Sequence, residues 1–221
     1  PFPIPHSPNT MNTHFLTALI LAGGQSSRMG RDKATIAIAG IPLLLRVCRA
    51  AAGCCDRAYI LTPWPERYRD IVKGEYPFLL ETRPGEGPLV ALADGLTRID
   101  TDWLLLLACD LPQLRSDVLR RWTSRLEEVP RSRLAVVPRR GSRWEPLCGF
   151  YRREALESLQ ESIKTGGRSL QRWLSRVEAE PLAVGEAEAE MLFNCNRPED
   201  LGAIGSASPK SDISGTIEGD R

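Results

Sequence analysis

The stretch Leu16–Lys33, LTALILAGGQSSRMGRDK, decides the reading of this chain. Leu16–Leu21 is an apolar run with strand character, and it empties into a glycine-rich, cationic loop, the form taken by a phosphate cradle at the end of a strand. Gly23 and Gly24 have no Cβ, so their backbone can adopt φ > 0 or approach a phosphate closely with its N–H groups turned inward. Arg28 brings a planar fork and Lys33 a mobile point charge to the same polyphosphate. Two other phosphate loops are excluded by spacing. A Walker A loop ends in Gly-Lys-Ser/Thr, whereas Gly30 is followed by Arg31, Asp32 and Lys33; Gly23-Gly24-Gln25 breaks the Gly-x-Gly-x-x-Gly dinucleotide pattern.

Outward from this stretch, short apolar runs alternate with helical periods, which predicts an α/β protein with a mostly parallel sheet. Pro42 opens a helix whose Leu44, Val47, Cys48 and Ala51 share one face before Gly53 stops it. Ala58–Leu61 and Phe78–Leu80 read as the second and third strands, with Pro63-Trp64-Pro65 ending the former. Val90–Leu96 reads as a helix broken or strained by Gly95. Trp103–Ala108 is apolar at every position, as expected of a central strand covered on both faces. Ser116 with Asp117 predicts a helix cap ahead of Val118, Leu119, Trp122 and Leu126. Arg133–Val137 and Leu147–Tyr151 are expected as later strands, and Glu154–Ile163 and Ser169–Val177 as helices.

The chain has 221 residues, 42% of them hydrophobic and 26% charged, which suits one globular domain at residues 14–205. Its formal net charge of +1 gives no global attraction to nucleic acid or membrane, so a small anionic ligand is expected. Cys48, Cys54, Cys55, Cys109, Cys148 and Cys195 form no C-x-x-C pair, and with only His6 and His14 beside them they predict reduced thiols in a cytoplasmic setting rather than a zinc site. The apolar runs are far shorter than the roughly 20 residues of a membrane helix. Residues 1–13, proline-rich and polar, read as a disordered extension rather than a secretion signal, with Met11 available as a start; residues 206–221 read as a flexible tail.

Asp110 stands just past the buried strand, in Ala108-Cys109-Asp110-Leu111-Pro112, where open α/β sheets place their ligands. A carboxylate there can hold Mg²⁺, which favours one or two carboxylates together with water and phosphate oxygens. Read alone, Asp110 could equally cap the turn before Pro112.

The segments LAGGQSSRMGRDKA, PGEGPLVAL, ACDLP, EPLCGFYRR and LFNCNRPEDL occur in the order found in molybdenum cofactor guanylyltransferases, and the chain resembles that family from about Leu19 to Leu201. The resemblance implies a single Rossmann-like domain with a glycosyltransferase-A-like nucleotidyltransferase fold. It implies attachment of GMP, from GTP with Mg²⁺, to molybdopterin or its molybdenum-bearing form, with release of pyrophosphate. Leu21, Ala22, Gly23 and Gly24 would meet the nucleotide, Arg28 and Lys33 its phosphates, and Asp110 both GTP and Mg²⁺. Gly87 of the PGEGPL segment would join the nucleotide site. Asn194 and Asn196 resemble an asparagine pair near the metal and pterin end, and Arg168 an arginine facing the anionic pterin; the pair could instead close a turn, and Arg168 could be a solvated charge. LAGG resembles the guanylyl branch, LAAG being more typical of the cytidylyl branch.

The chain departs from the family pattern at three places. Thr62-Pro63-Trp64-Pro65 lacks the Asn common after the second strand, with Thr62 as a substitute hydrogen-bonding group. Glu81, or Thr82, stands where Asp is common; a carboxylate there can accept from guanine N1–H and the 2-amino group. Glu145 precedes Pro146 where Gln or His is more usual. Further partners implied are molybdoenzymes and other cofactor-biosynthesis proteins. A cytidylyltransferase, another metabolite-phosphate nucleotidyltransferase, and a non-catalytic nucleotide-binding partner protein stay open as alternatives.

Overall fold

Leu16–Leu21 folds as the predicted strand and occupies the middle of the sheet. The computed structural model describes residues 15–24 and 32–195. In chain order these form β1 (Leu16–Leu21), a short hairpin of β2 (Ala37–Ile38) and β3 (Ile41–Pro42), α1 (Leu43–Ala52), β4 (Arg57–Thr62), α2 (Arg69–Val72), β5 (Phe78–Leu80), α3 (Pro88–Arg98) and β6 (Trp103–Ala108). There follow α4 (Ser116–Thr123), β7 (Ala135–Arg140), β8 (Arg143–Trp144), β9 (Cys148–Arg152), α5 (Ala155–Lys164), α6 (Leu170–Leu174), β10 (Ala179–Ala183) and α7 (Glu186–Met191). The predicted extension at residues 1–13 and the tail at 206–221 lie outside the described residues, as do Arg28 and Asn196.

The strand order is β10-β7-β9-β6-β1-β4-β5, with β8 paired to β7. β6, β1, β4 and β5 are mutually parallel, while β9 runs antiparallel between β6 and β7. The sheet is therefore mostly parallel, as the alternating pattern predicts. Successive side chains of a strand point to opposite faces, so two buried faces need apolar residues at every position. β1 sends Leu16, Ala18 and Ile20 into a core with Leu44 and Val47 of α1 and Leu119 and Trp122 of α4. Leu19 faces the other way, among Leu89, Leu92 and Leu96 of α3 and Leu174 of α6. β6 divides likewise, with Leu105 and Leu107 on the first face and Leu104 and Leu106 on the second. Each leucine so buried contributes about 1.5–3 kcal/mol.

Several expectations need correction. α3 runs unbroken through Gly95, because the residue is there for close packing: a Cβ would stand 2.3 Å from Leu19 Cδ2. Ser116 and Asp117 are the first residues of α4 rather than its cap; Arg115 holds the cap position, and the Asp117 carboxylate pairs with Arg115 and Arg121. The strand expected at Arg133–Val137 lies two residues later, at Ala135–Arg140. The last predicted helix is shorter, Leu170–Leu174, with Ser169 as its N-cap accepting from the Arg172 N–H. β10 was not expected at all, since Pro181 interrupts its sequence; a proline is tolerated there because β10 ends the strand order.

Candidate active site

The strand order reverses at β1, which has β6 on one side and β4 on the other, and ligands of open α/β sheets bind at the carboxyl ends of strands at such a switch point. Backbone hydrogen bonds continue past the strands here: Ala22 N–H donates to Leu61 O at 2.9 Å and Cys109 N–H to Leu21 O at 3.2 Å. The loops after β1, β4 and β6 are thereby held side by side, and a cleft of about 740 Å³ opens across them. The lining residues follow four neighbouring strands, from Asp110 after β6 to Glu81 after β5, and the Glu81 carboxylate reaches back to Gly23 after β1.

At one end Lys33 Nζ lies 3.3 Å from Asp110 Oδ2, with the two side chains 17% and 19% exposed. Lys33 begins a short 3₁₀ turn, Lys33–Thr35, that Asp32 caps by accepting from the Ala34 N–H at 3.0 Å. The other Asp32 oxygen accepts from the Tyr68 hydroxyl at 2.6 Å. Burial, reinforced by the Asp32 carboxylate, pushes the Tyr68 phenol above its ordinary pKa, so it remains a donor. The adjoining Cys109 thiol is also pushed up, by burial and the Asp110 charge, and stays protonated. Tyr68 thus fixes the aspartate that orders the lysine turn. Arg46 ties the β2–β3 hairpin to the next loop, donating to Ile38 O and Pro112 O.

Asp110 Oδ1 is buried and has no hydrogen-bond partner among the described residues. An orphaned carboxylate oxygen in the wall of a cleft is costly unless a cation meets it. Among the described residues no cluster of three metal-binding side chains exists. The donor set therefore fits Mg²⁺, which is content with one carboxylate when phosphate oxygens and water complete its shell, and does not fit a site built wholly from protein.

At the other end Glu81 approaches Gly23 so closely that a Cβ on Gly23 would stand 2.5 Å from Glu81 Oε2 and 3.0 Å from Pro63 Cδ. Neither Gly23 nor Gly24 adopts a positive φ, so the requirement at Gly23 is space rather than conformation. Burial, and then the charge of Asp94, raise the Glu81 pKa above the ordinary carboxylate value. Gly87, at φ +93°, forms the wall together with Gly85 and Pro88.

Of the residues singled out from sequence, Leu21, Ala22, Gly23, Gly24, Lys33, Glu81, Gly87 and Asp110 line the one cleft. Asn194 is not among the lining residues, but the next residue, Cys195, donates its N–H to Asp110 O at 3.0 Å. Two residues stand elsewhere. Thr62 is fully buried, and its hydroxyl accepts from the Trp64 N–H at 3.1 Å, so its hydrogen-bonding capacity is turned to the loop rather than the cleft. Arg168 pairs with Glu86 at 3.2 Å and donates to Gly167 O and Ile163 O, outside the cleft wall. Sequence reasoning overlooked Asp32 and Tyr68. An Asp directly before a short turn is a cap signal, whereas nothing local marks Tyr68 as its partner.

A glycine-lined cleft at the switch point of a mostly parallel sheet, with a lysine–carboxylate pair at one end, has the form expected of a nucleotidyltransferase. The chain belongs to the MobA-like NTP transferase domain family, whose model matches residues 18–180. A probable molybdenum cofactor guanylyltransferase of Nostoc is 51% identical over 189 residues, covering 86% of this chain and 90% of the relative. A protein of the same description from Synechococcus elongatus is 42% identical, covering 85% and 96%. Among solved structures, molybdopterin-guanine dinucleotide biosynthesis protein A of Archaeoglobus fulgidus superposes with a TM-score of 0.71 at 21% identity, covering 85% of this chain and 95% of that one. No helix of the described residues is long and apolar enough to cross a membrane.

Proposed function

We propose that this protein transfers GMP from GTP to the terminal phosphate of molybdopterin or its molybdenum-bearing form, releasing pyrophosphate. The observation that carries the reading is the Lys33–Asp110 pair at the switch point, with one Asp110 oxygen orphaned and the glycine-rich wall beside it. The names of relatives at 51% and 42% identity support guanylyl transfer in particular. In the reaction an acceptor phosphate oxygen attacks the α-phosphorus of GTP, and the bond from that phosphorus to the bridging oxygen of the β-phosphate breaks. The nucleophile is already an anion, so no general base is required, and the barrier is repulsion between two polyanions. Lys33 would offset it by leaving Asp110 for the phosphate oxygens, the backbone of Ala22–Gly24 would lie against the nucleotide, and Arg28, assigned from sequence, would add positive charge. Asp110 would hold Mg²⁺ through its orphaned oxygen. The ion would supply charge neutralisation on phosphate oxygens. Glu81, ionised, would accept from the guanine N1–H and 2-amino group. Asn194, beside the Asp110 loop, and Arg168, beyond the wall at Gly87, would serve the pterin.

The test is a competition with purified protein, molybdopterin, Mg²⁺ and equal GTP and CTP, identifying the dinucleotide and the pyrophosphate. A GMP-bearing pterin is expected. A CMP product overturns the base assignment, and retained GTP binding without transfer overturns the acceptor.

A further inference from the structure

Trp64 lies where the cleft leaves the phosphate end, and no part of the reaction described above uses it. We propose that its indole stacks on the nucleobase of the bound triphosphate and gives this chain its preference for a purine; the inference deepens the guanylyl reading and rests on it. The placement is set by topology. Trp64 is two residues past β4, and β4 lies between β1, which carries the phosphate loop, and β5, which leads to Glu81. Trp64 lines the same cleft as Asp110, Gly23 and Glu81, from the loop after β4, so a nucleotide laid along this row of loops meets its ring.

The ring is also built to stay in place. Pro63 and Pro65 flank it, and its backbone N–H is taken by the buried Thr62 hydroxyl at 3.1 Å. The Arg67 guanidinium sits 4.2 Å from the ring centroid and is not part of the cleft wall. Pro63 in turn abuts the spot beside Gly23 that Glu81 approaches, so the candidate reader of the base edge and the aromatic ring belong to one wall. A held indole loses little freedom when a base covers it, and a fused purine offers more area to it than a pyrimidine.

Trp64 can be observed directly, since it is half-buried while Trp103, Trp122, Trp144 and Trp173 are buried. Intrinsic fluorescence should be followed as GTP, CTP or inorganic tripolyphosphate is added with Mg²⁺, with dissociation constants from equilibrium dialysis. In the wild type GTP should quench the emission. Trp64→Phe should bind GTP within about threefold of wild type but lose the quench, because phenylalanine still stacks. Trp64→Ala should bind GTP about tenfold to a hundredfold more weakly, lose less for CTP, and bind tripolyphosphate unchanged. Circular dichroism confirms that each variant is folded. If Trp64→Ala binds GTP like wild type, stacking is overturned while the guanylyl reading stands. If it loses GTP and tripolyphosphate equally, Trp64 only shapes the phosphate loop and the proposal falls. A wild type that prefers CTP to GTP overturns both.

Discussion

The two ends of the cleft are built on different principles. At Lys33 and Asp110 the protein arranges charge: a partly buried ion pair, an orphaned oxygen and a turn whose aspartate is locked by Tyr68. At Glu81 and Trp64 it arranges shape, with a carboxylate pressed against a glycine and an indole on a loop between two prolines. Charge acts on any triphosphate, whereas shape selects among bases. The phosphate end should therefore govern turnover, and the base end the choice of nucleotide.

The largest test of that division is Lys33→Ala or Asp110→Asn, each expected to lower kcat by about 10²–10³ with the ratio of GTP to CTP use unchanged. Unchanged turnover would remove either residue from the reaction. Next is Gly23→Ala, whose new methyl displaces the Glu81 carboxylate. It should cost about tenfold to a hundredfold in GTP affinity, while Gly24→Ala, with no atom of the described residues within 4 Å of its Cβ position, should leave unliganded stability unchanged. Equal GTP binding by wild type and Gly23→Ala would separate Glu81 from the base.

Tyr68→Phe sharpens the contrast from the other side. Loss of the hydrogen bond to Asp32 should lower stability by about 1.5–3 kcal/mol in chemical denaturation and reduce kcat a few-fold, without altering base choice. A change in base choice would mean that the two ends are not separable.

The smallest effect is a pH dependence. The ionised form of Glu81 accepts from guanine, and its pKa is raised, so GTP affinity should begin to fall at a pH above the ordinary carboxylate range and be lost as pH drops further. Tripolyphosphate binding serves as the control for titration of the phosphates themselves. Asp94→Asn, by removing a like charge, should move the loss to lower pH; no movement would leave burial as the sole cause.

The same division explains what could be read from sequence. Leu16–Leu21 and Trp103–Ala108 are legible as central strands because two buried faces demand unbroken apolar runs. Gly23, Gly24 and Asp110 stand out in the sequence because they directly follow those strands, and Lys33 because it closes the same local pattern of glycine and cation. Tyr68 escaped because its meaning lies in Asp32, 36 residues away, and Thr62 was misjudged because a hydroxyl in a loop satisfies the nearest backbone N–H first. Gly95 looked like a helix breaker, since sequence does not show that Leu19 needs the space. Trp64 was visible only as a missing asparagine; its role depends on which strand stands beside which.

The hydrogen bond from Cys195 N–H to Asp110 O joins the middle of the chain to its last described residue. On a translating ribosome, β1, β4, β5 and β6 emerge long before that donor does, at about 5–20 residues per second. For those seconds the nascent chain can bring its parallel strands together and bury their leucines, yet the loop bearing Asp110 is still missing its final brace. The order of synthesis thus separates having a fold from having a finished site, and a chain truncated just before Cys195 should fold but handle phosphate poorly.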